Sequence, residues 1–115
     1  LETALLDDAQ GAYRGRHRLT PRAFFAASCG VPTLVESFAG LGQFFEPAVE
    51  IAAFTPADGV VERAAALLGD EPARAAMGRR ARQRALREHT WDRRVEAFVL
   101  DVQERLRSPE ARIER

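Results

Sequence analysis

Between Thr20 and Gly42 the chain reads Thr-Pro-Arg-Ala-Phe-Phe-Ala-Ala-Ser-Cys-Gly-Val-Pro-Thr-Leu-Val-Glu-Ser-Phe-Ala-Gly-Leu-Gly, and few folds accommodate that order of signals. Thr20 suits a helix N-cap, and Pro21 fits the first helical position, where the missing N–H had no partner. Gly30 is a natural left-handed stop for that helix. Val31 to Val35 is an apolar run broken only by Pro32 and Thr33, so the spacing predicts a strand entered through a proline. A turn over 37–42 must follow, and one helical turn is expected over 43–45. Helix, strand and glycine-bearing turn in such quick succession describe a unit of an α/β sheet.

The remainder extends that unit. Residues 50–54 form the second strand candidate. Thr55-Pro56-Ala57-Asp58 repeats the Thr-Pro start and adds an acidic residue three positions after the cap. The helix it opens carries Val60, Val61, Ala64, Ala65, Leu67 and Leu68 on one face. Gly69-Asp70 breaks it. Pro72 opens a third helix running to about Glu88, with Ala73, Met77, Ala81 and Ala85 on one stripe. Thr90 caps a last helix with an amphipathic stripe of Trp91, Val95, Phe98, Val99, Val102 and Leu106, ended by Ser108-Pro109. Upstream, a short helix is expected near 3–10, then a polar loop. These readings divide the chain into a lead-in at 1–19, a subdomain at 20–107 and a tail at 108–115. The fold class they predict is α/β, with a small parallel sheet and a helical C-terminus.

With 115 residues, 46% hydrophobic and 30% charged, the chain has the composition of one soluble globular domain. Its formal net charge of zero provides no global basic field to recruit nucleic acid or anionic lipid. No apolar run approaches the ~20 residues that span a bilayer. With no signal-like segment in view and Cys29 as the lone cysteine, which leaves no internal disulfide, the expected location is cytoplasmic. The start at Leu1 suggests a piece of a longer protein. Every basic side chain other than His17 and His89 is an arginine, a pattern we read as genomic base composition.

Several residues invite chemistry. Gly40-Leu41-Gly42-Gln43 leaves a strand and enters a helical turn, which suits either a diphosphate cradle or a plain tight turn. His17, among Arg14, Arg16 and Arg18, reads as part of a solvated basic loop, with phosphate clamping the alternative. His89 has no companion at metal-ligand spacing and is expected to make a structural hydrogen bond at a helix end. Cys29 is expected to be a small core residue. The run Arg79-Arg80-x-Arg82-x-Arg84-x-x-Arg87 places Arg80, Arg84 and Arg87 on one face and is read as a solvated surface; without interleaved aromatics it does not suggest nucleic-acid binding. The Trp91 to Leu106 stripe is core or docking surface, with part of it expected to be exposed.

Three separated blocks resemble one known family. Thr20 to Pro32 is similar to the segment that GT-B retaining glycosyltransferases write as Arg-x-Phe-Glu-Ala-x-Ala-Cys-Gly-x-Pro. Gly40-Leu41 with Phe44-Phe45-Glu46-Pro47 and Glu50-Ile51 resembles the family's Gly-Leu-x-x-x-Phe-x-Pro-x-x-Glu-Ile pattern. Arg82 and Arg84 with Glu88-His89-Thr90-Trp91 and Arg94 resemble its C-terminal signature. Together they cover roughly residues 20 to 100 and look closest to the group-1 subgroup that includes spore-maturation-type proteins. The resemblance implies the donor-binding, Rossmann-like C-terminal part of a two-domain GT-B enzyme, with the N-terminal half lying upstream. It further implies transfer of a hexose from a nucleotide-diphosphate sugar, which serves as co-substrate, to an unknown acceptor, with no other cofactor and no metal. By matching position, Gly30 would close the helix beneath the nucleotide, and Gly40, Leu41 and Gly42 would form the diphosphate turn. Arg22 would border the pocket, and the last helix would pack toward the first half. Two positions depart from the pattern: Phe25 stands where the family has a ribose-holding Glu, and His17 where many members have a second Glu. Glu36 is a candidate replacement. The alternative reading is a non-catalytic, GT-B-derived interaction module.

Overall fold

The computed structural model describes residues 19–57 and 59–108. The expected helix near 3–10, the basic loop around His17, the Asp58 arm of the capping box and the tail beyond 108 lie outside the described residues. In chain order the elements are α1 (Pro21–Ser28), β1 (Leu34–Glu36), a 3-10 turn (Leu41–Gln43), β2 (Ala52–Phe54), α2 (Val60–Leu68), α3 (Glu71–Glu88) and α4 (Trp91–Arg107).

α1 begins as its sequence dictates, with Pro21 in the first turn and Thr20 at the N-cap, although the Thr20 side chain makes no capping bond. Its C-terminus is a Schellman motif: the Val31 N–H donates to the Ala26 carbonyl and the Gly30 N–H to that of Ala27, both at 2.9 Å. Gly30 stands at φ 72° to allow it, a conformation that costs other residues about 1–2 kcal/mol. Ala23 and Ala27, one turn apart, face the interior.

β1 and β2 pair in parallel with Leu34 opposite Ala52, Val35 opposite Ala53 and Glu36 opposite Phe54. The Ala52 N–H donating to the Thr33 carbonyl and the Ser37 N–H to that of Phe54 extend the ladder at both ends. A small parallel sheet was expected; its strands are shorter than the sequence suggested, and the one helical turn expected between them is a 3-10 turn. That turn starts at Leu41, ahead of the expected 43–45, because the Leu41 side chain is drawn into the core.

The core is small. Ala27, Val35, Leu41, Phe45, Ile51, Ala81 and Ala85 form its buried centre, with Phe24, Phe38 and Phe44 packed against it. α2 starts at Val60, later than Thr55-Pro56 predicted, with Gly59 as its N-cap at φ 71°. None of its residues is buried, so the expected apolar face narrows to the half-buried Val60, Ala64 and Leu67, while Val61 and Leu68 face outward. α3 begins as predicted, the Asp70 carboxylate accepting from the Ala73 N–H at 3.0 Å. It buries Met77, Gly78, Ala81 and Ala85, whereas Ala73 is exposed. Thr90 caps α4 by accepting from the Arg93 N–H, yet α4 buries nothing. Cys29 is exposed, correcting the core assignment: at the C-cap of α1 it lies off the Ala23–Ala27 stripe.

Candidate functional site

α3 organises everything around the β1–β2 connection. Its approach to α1 is at backbone level, since a Cβ on Gly78 would collide with the Gly30 carbonyl. From that close-packed seam its basic side chains reach out to carbonyls at the ends of earlier elements. The Arg74 guanidinium donates to the Leu67 carbonyl at 2.8 Å and the Leu68 carbonyl at 2.5 Å, closing the C-terminus of α2. Arg82 donates to the Ser28 carbonyl, in the last turn of α1. Arg84 donates to the Gln43 carbonyl at 3.3 Å, and His89 Nε2–H to the Phe44 carbonyl at 2.6 Å, at the end of the 3-10 turn. Helix C-termini expose unpaired carbonyls and carry partial negative charge, so cations and N–H donors are what those ends require. The arginine run is therefore not simply a solvated face. Arg79 and Arg80 are exposed, but Arg82 and Arg84 bridge to other elements. His89 makes the structural hydrogen bond expected of it and packs edge-on against Phe24 and Phe45.

Arg84 also forms an ion pair with Glu50 at 3.1 Å and another with Glu88. The Glu50 pair is well shielded, with the two side chains 17% and 12% exposed, and the same Glu50 oxygen accepts from the Glu46 N–H at 2.8 Å. At Glu88, desolvation pushes the carboxyl upward, but hydrogen bonds from Arg84 and Arg87, reinforced by their charges, outweigh it and leave the group below its ordinary value.

The residues picked out by sequence fall into separate places. Gly40 caps the 3-10 turn and Gly42 lies within it, exposed, with nothing within 4 Å of where its Cβ would stand. Leu41 is core: its side chain is 1% exposed and its N–H donates to the Phe38 carbonyl at 3.1 Å. Gly30 is the corner where α1 meets α3. Arg22 is exposed on the first turn of α1, about 12 Å along the helix axis from Gly30 at 1.5 Å per residue. The turn follows the carboxyl end of β1, where ligands settle in open parallel sheets. Glu36, the last residue of β1, has one carboxylate oxygen buried without a hydrogen-bond partner among the described residues, and a buried acceptor in that state calls for a donor. Sequence reasoning missed Gly78 and Arg74, and it met Glu50 only as part of a family pattern, with no role attached. A glycine inside an otherwise helical alanine-rich run was the available signal for Gly78, because such a residue costs about 1 kcal/mol unless packing requires it.

A concave feature of about 460 Å³ lies between α1, the end of α3 and the start of α4, lined by Phe24, Phe25, Leu86, His89, Trp91 and Arg94. Phe25 is 66% exposed there, and the Arg94 guanidinium stacks on Phe24, 4.7 Å from the ring centroid. Among the described residues no three His, Cys, Asp or Glu side chains are grouped to hold a metal ion, and no helix is long and apolar enough to cross a membrane.

No curated protein and no solved structure gives a significant match to the chain. A family model described as glycosyl transferase-like matches residues 6–99. That span includes the helix–strand–glycine-turn unit, the whole of α3 and the first half of α4. The match extends over most of the sequence and through every element that builds the turn, and the chain belongs to the glycosyl transferase-like family.

Proposed function

We propose that this chain is the donor-binding, Rossmann-like part of a GT-B enzyme of the group-1, spore-maturation-type subgroup. It would hold a nucleotide-diphosphate hexose while the bond from the sugar's anomeric carbon to the diphosphate breaks. The acceptor hydroxyl oxygen then bonds to that carbon, its proton passes to a base, and the nucleoside diphosphate leaves. The observation that carries this reading is the open backbone at Gly42, on a 3-10 turn beyond the carboxyl end of a parallel strand, within a glycosyl transferase-like chain. Gly40 and Gly42 let the diphosphate approach the main chain, and exposed Arg22 supplies charge against it. Leu41 anchors the turn from beneath. Glu36 replaces the carboxylate that Phe25 lacks and accepts from the ribose hydroxyls. The apolar side of α4 packs against the upstream half, which brings the acceptor.

A non-catalytic interaction module is the second reading. It is favoured by Phe25, a largely exposed phenylalanine at the position of the family's ribose-holding Glu. Calorimetric titration of the full chain with UDP and GDP separates the two. The enzyme reading expects saturable binding to one of them. It also expects Gly42→Val to weaken that binding at least about tenfold, or ~1.4 kcal/mol, with an unchanged melting temperature, because the new side chain has open space to occupy. A folded chain that binds neither nucleotide leaves the module.

A further inference from the structure

We infer that the C-terminal end of α3 is a positioning device for the donor turn, with Arg84 and His89 as its two positioning residues; this rests on the donor reading above. Neither side chain is placed to contact the nucleotide itself. Each Arg84 nitrogen already makes a hydrogen bond, Nε with Glu88, Nη1 with Glu50 and Nη2 with the Gln43 carbonyl. Its charge is offset by two carboxylates, so it acts through the turn and not as a phosphate ligand. His89 is likewise committed, its Nε2–H to the Phe44 carbonyl and its ring to the aromatic cluster of Phe24, Phe44 and Phe45.

Successive carbonyls at 43 and 44 are thus both drawn toward α3. In a helical turn the carbonyls point toward one end and the N–H groups toward the other. Fixing the carbonyl end against α3 directs the N–H end away from it, where the Leu41 N–H is taken by the Phe38 carbonyl and Gly42 faces open space. The exit of the same loop is held through the same guanidinium. The Glu50 oxygen that pairs with Arg84 also accepts from the Glu46 N–H, and the Glu50 N–H donates back to the Glu46 carbonyl at 2.8 Å. Between these two ties Ala48 sits at φ 68°, a conformation a non-glycine residue keeps only where its surroundings over-determine it. One guanidinium therefore joins the two ends of the 43–50 segment, and the five-residue spacing of Arg84 and His89 matches two adjacent carbonyls.

The test pairs amide hydrogen exchange with UDP and GDP calorimetry on the full chain carrying Arg84→Gln, Arg84→Lys and His89→Phe. Arg84→Gln is expected to raise exchange over 41–50 by about tenfold or more while amides in the α1–α3 seam keep their protection, and to weaken nucleotide binding by about tenfold. Arg84→Lys, which keeps the charge but not the fork, should recover only part of that affinity. Unchanged exchange over 41–50 in a folded Arg84→Gln protein overturns the inference. So does wild-type binding that Arg84→Gln leaves intact, and in that case the donor reading survives. A wild-type chain that binds neither nucleotide overturns both. If Arg84→Gln does not fold, Glu50→Gln releases the exit of the same loop and is judged by the same two readouts.

Discussion

α3 and α4 are adjacent helices of nearly equal length, and they gain their places in the fold by opposite means. α3 is only weakly amphipathic, with alanine, glycine and a single methionine on its inner side, yet it buries more residues than any other described helix. α4 has the better apolar stripe, with Trp91, Val95, Phe98, Val99, Val102 and Leu106, and buries none of it. The contrast shows that here the size of the inward residues, and what they allow the backbone to approach, decides burial. Small residues let α3 come close to α1, and its arginines and His89 reach carbonyls at the ends of α1 and of the 3-10 turn. Large residues on α4 define a surface that no described residue covers, of the kind that usually marks a contact with another body.

The sharpest way to break that contrast is to enlarge the seam. Gly78→Ala places a methyl group against the Gly30 carbonyl, which is backbone and cannot rotate aside. The expected loss is about 3 kcal/mol, at the upper end of overpacking effects, read as the free energy of urea unfolding. Gly42→Ala, a glycine change with open space, is the matched control and should cost less than about 1 kcal/mol. Comparable losses at the two positions would mean that close approach is not what seats α3.

The next largest effect concerns the reach of its side chains. Arg74 joins α3 to the last two carbonyls of α2, a helix with no buried residue of its own. Arg74→Ala is expected to cost about 1.5–2 kcal/mol, in the range for hydrogen bonds from charged groups, and to release α2 first. Amide exchange at residues 64–68 should rise ahead of that in α1. Uniform acceleration across the chain would instead assign Arg74 to global stability.

The same contrast explains what could be read in advance. The Thr20–Gly42 unit was legible because its punctuation is local: Pro21, the Gly30 stop and the run into Val35 act within a few residues. The parallel pairing followed from the order of the elements, and the α3 stripe of Met77, Ala81 and Ala85 from helical spacing. The α3 arginines were misread because their partners are main-chain carbonyls some 40 and 54 residues away, at Gln43 and Ser28, and a carbonyl leaves no mark in a sequence. The start of α2 was misplaced because Thr55-Pro56 is a sound local signal overridden by Gly59, whose positive φ sets the helix direction. For the candidate site, the glycine turn was visible in the motif. That Leu41 would be core, and that Gly42 alone would carry open space, depends on packing from β1 and α3.

A smaller effect is expected on the other side of the comparison. Val95→Gln with Phe98→Gln replaces two apolar side chains that are 56% and 67% exposed. Unfolding free energy, read by urea denaturation, should move by no more than about 0.5 kcal/mol, as for ordinary surface changes. A loss above 2 kcal/mol would show that this side of α4 is covered in solution, and would end the contrast with α3.

The smallest effect separates the exposed part of the α3 network from the shielded part. Glu88 is a solvent-exposed carboxylate whose pKa lies below its ordinary value: desolvation raises it, but hydrogen bonds from Arg84 and Arg87 and their charges lower it further. A group held low in the folded state adds stability above its unfolded pKa, about 4.3 for glutamate. That contribution disappears as pH falls through the folded value. Wild type and Glu88→Gln should therefore differ slightly at neutral pH and converge in acid as the pH falls through the lowered folded value, in thermal melts at low salt. Added salt should shrink the neutral-pH gap, because exposed pairs are screened. Glu50→Gln, at the shielded end of the same arginine, should keep its deficit in salt. If both gaps closed together, Arg84 would be a surface charge, and the seam alone would be left to hold the turn.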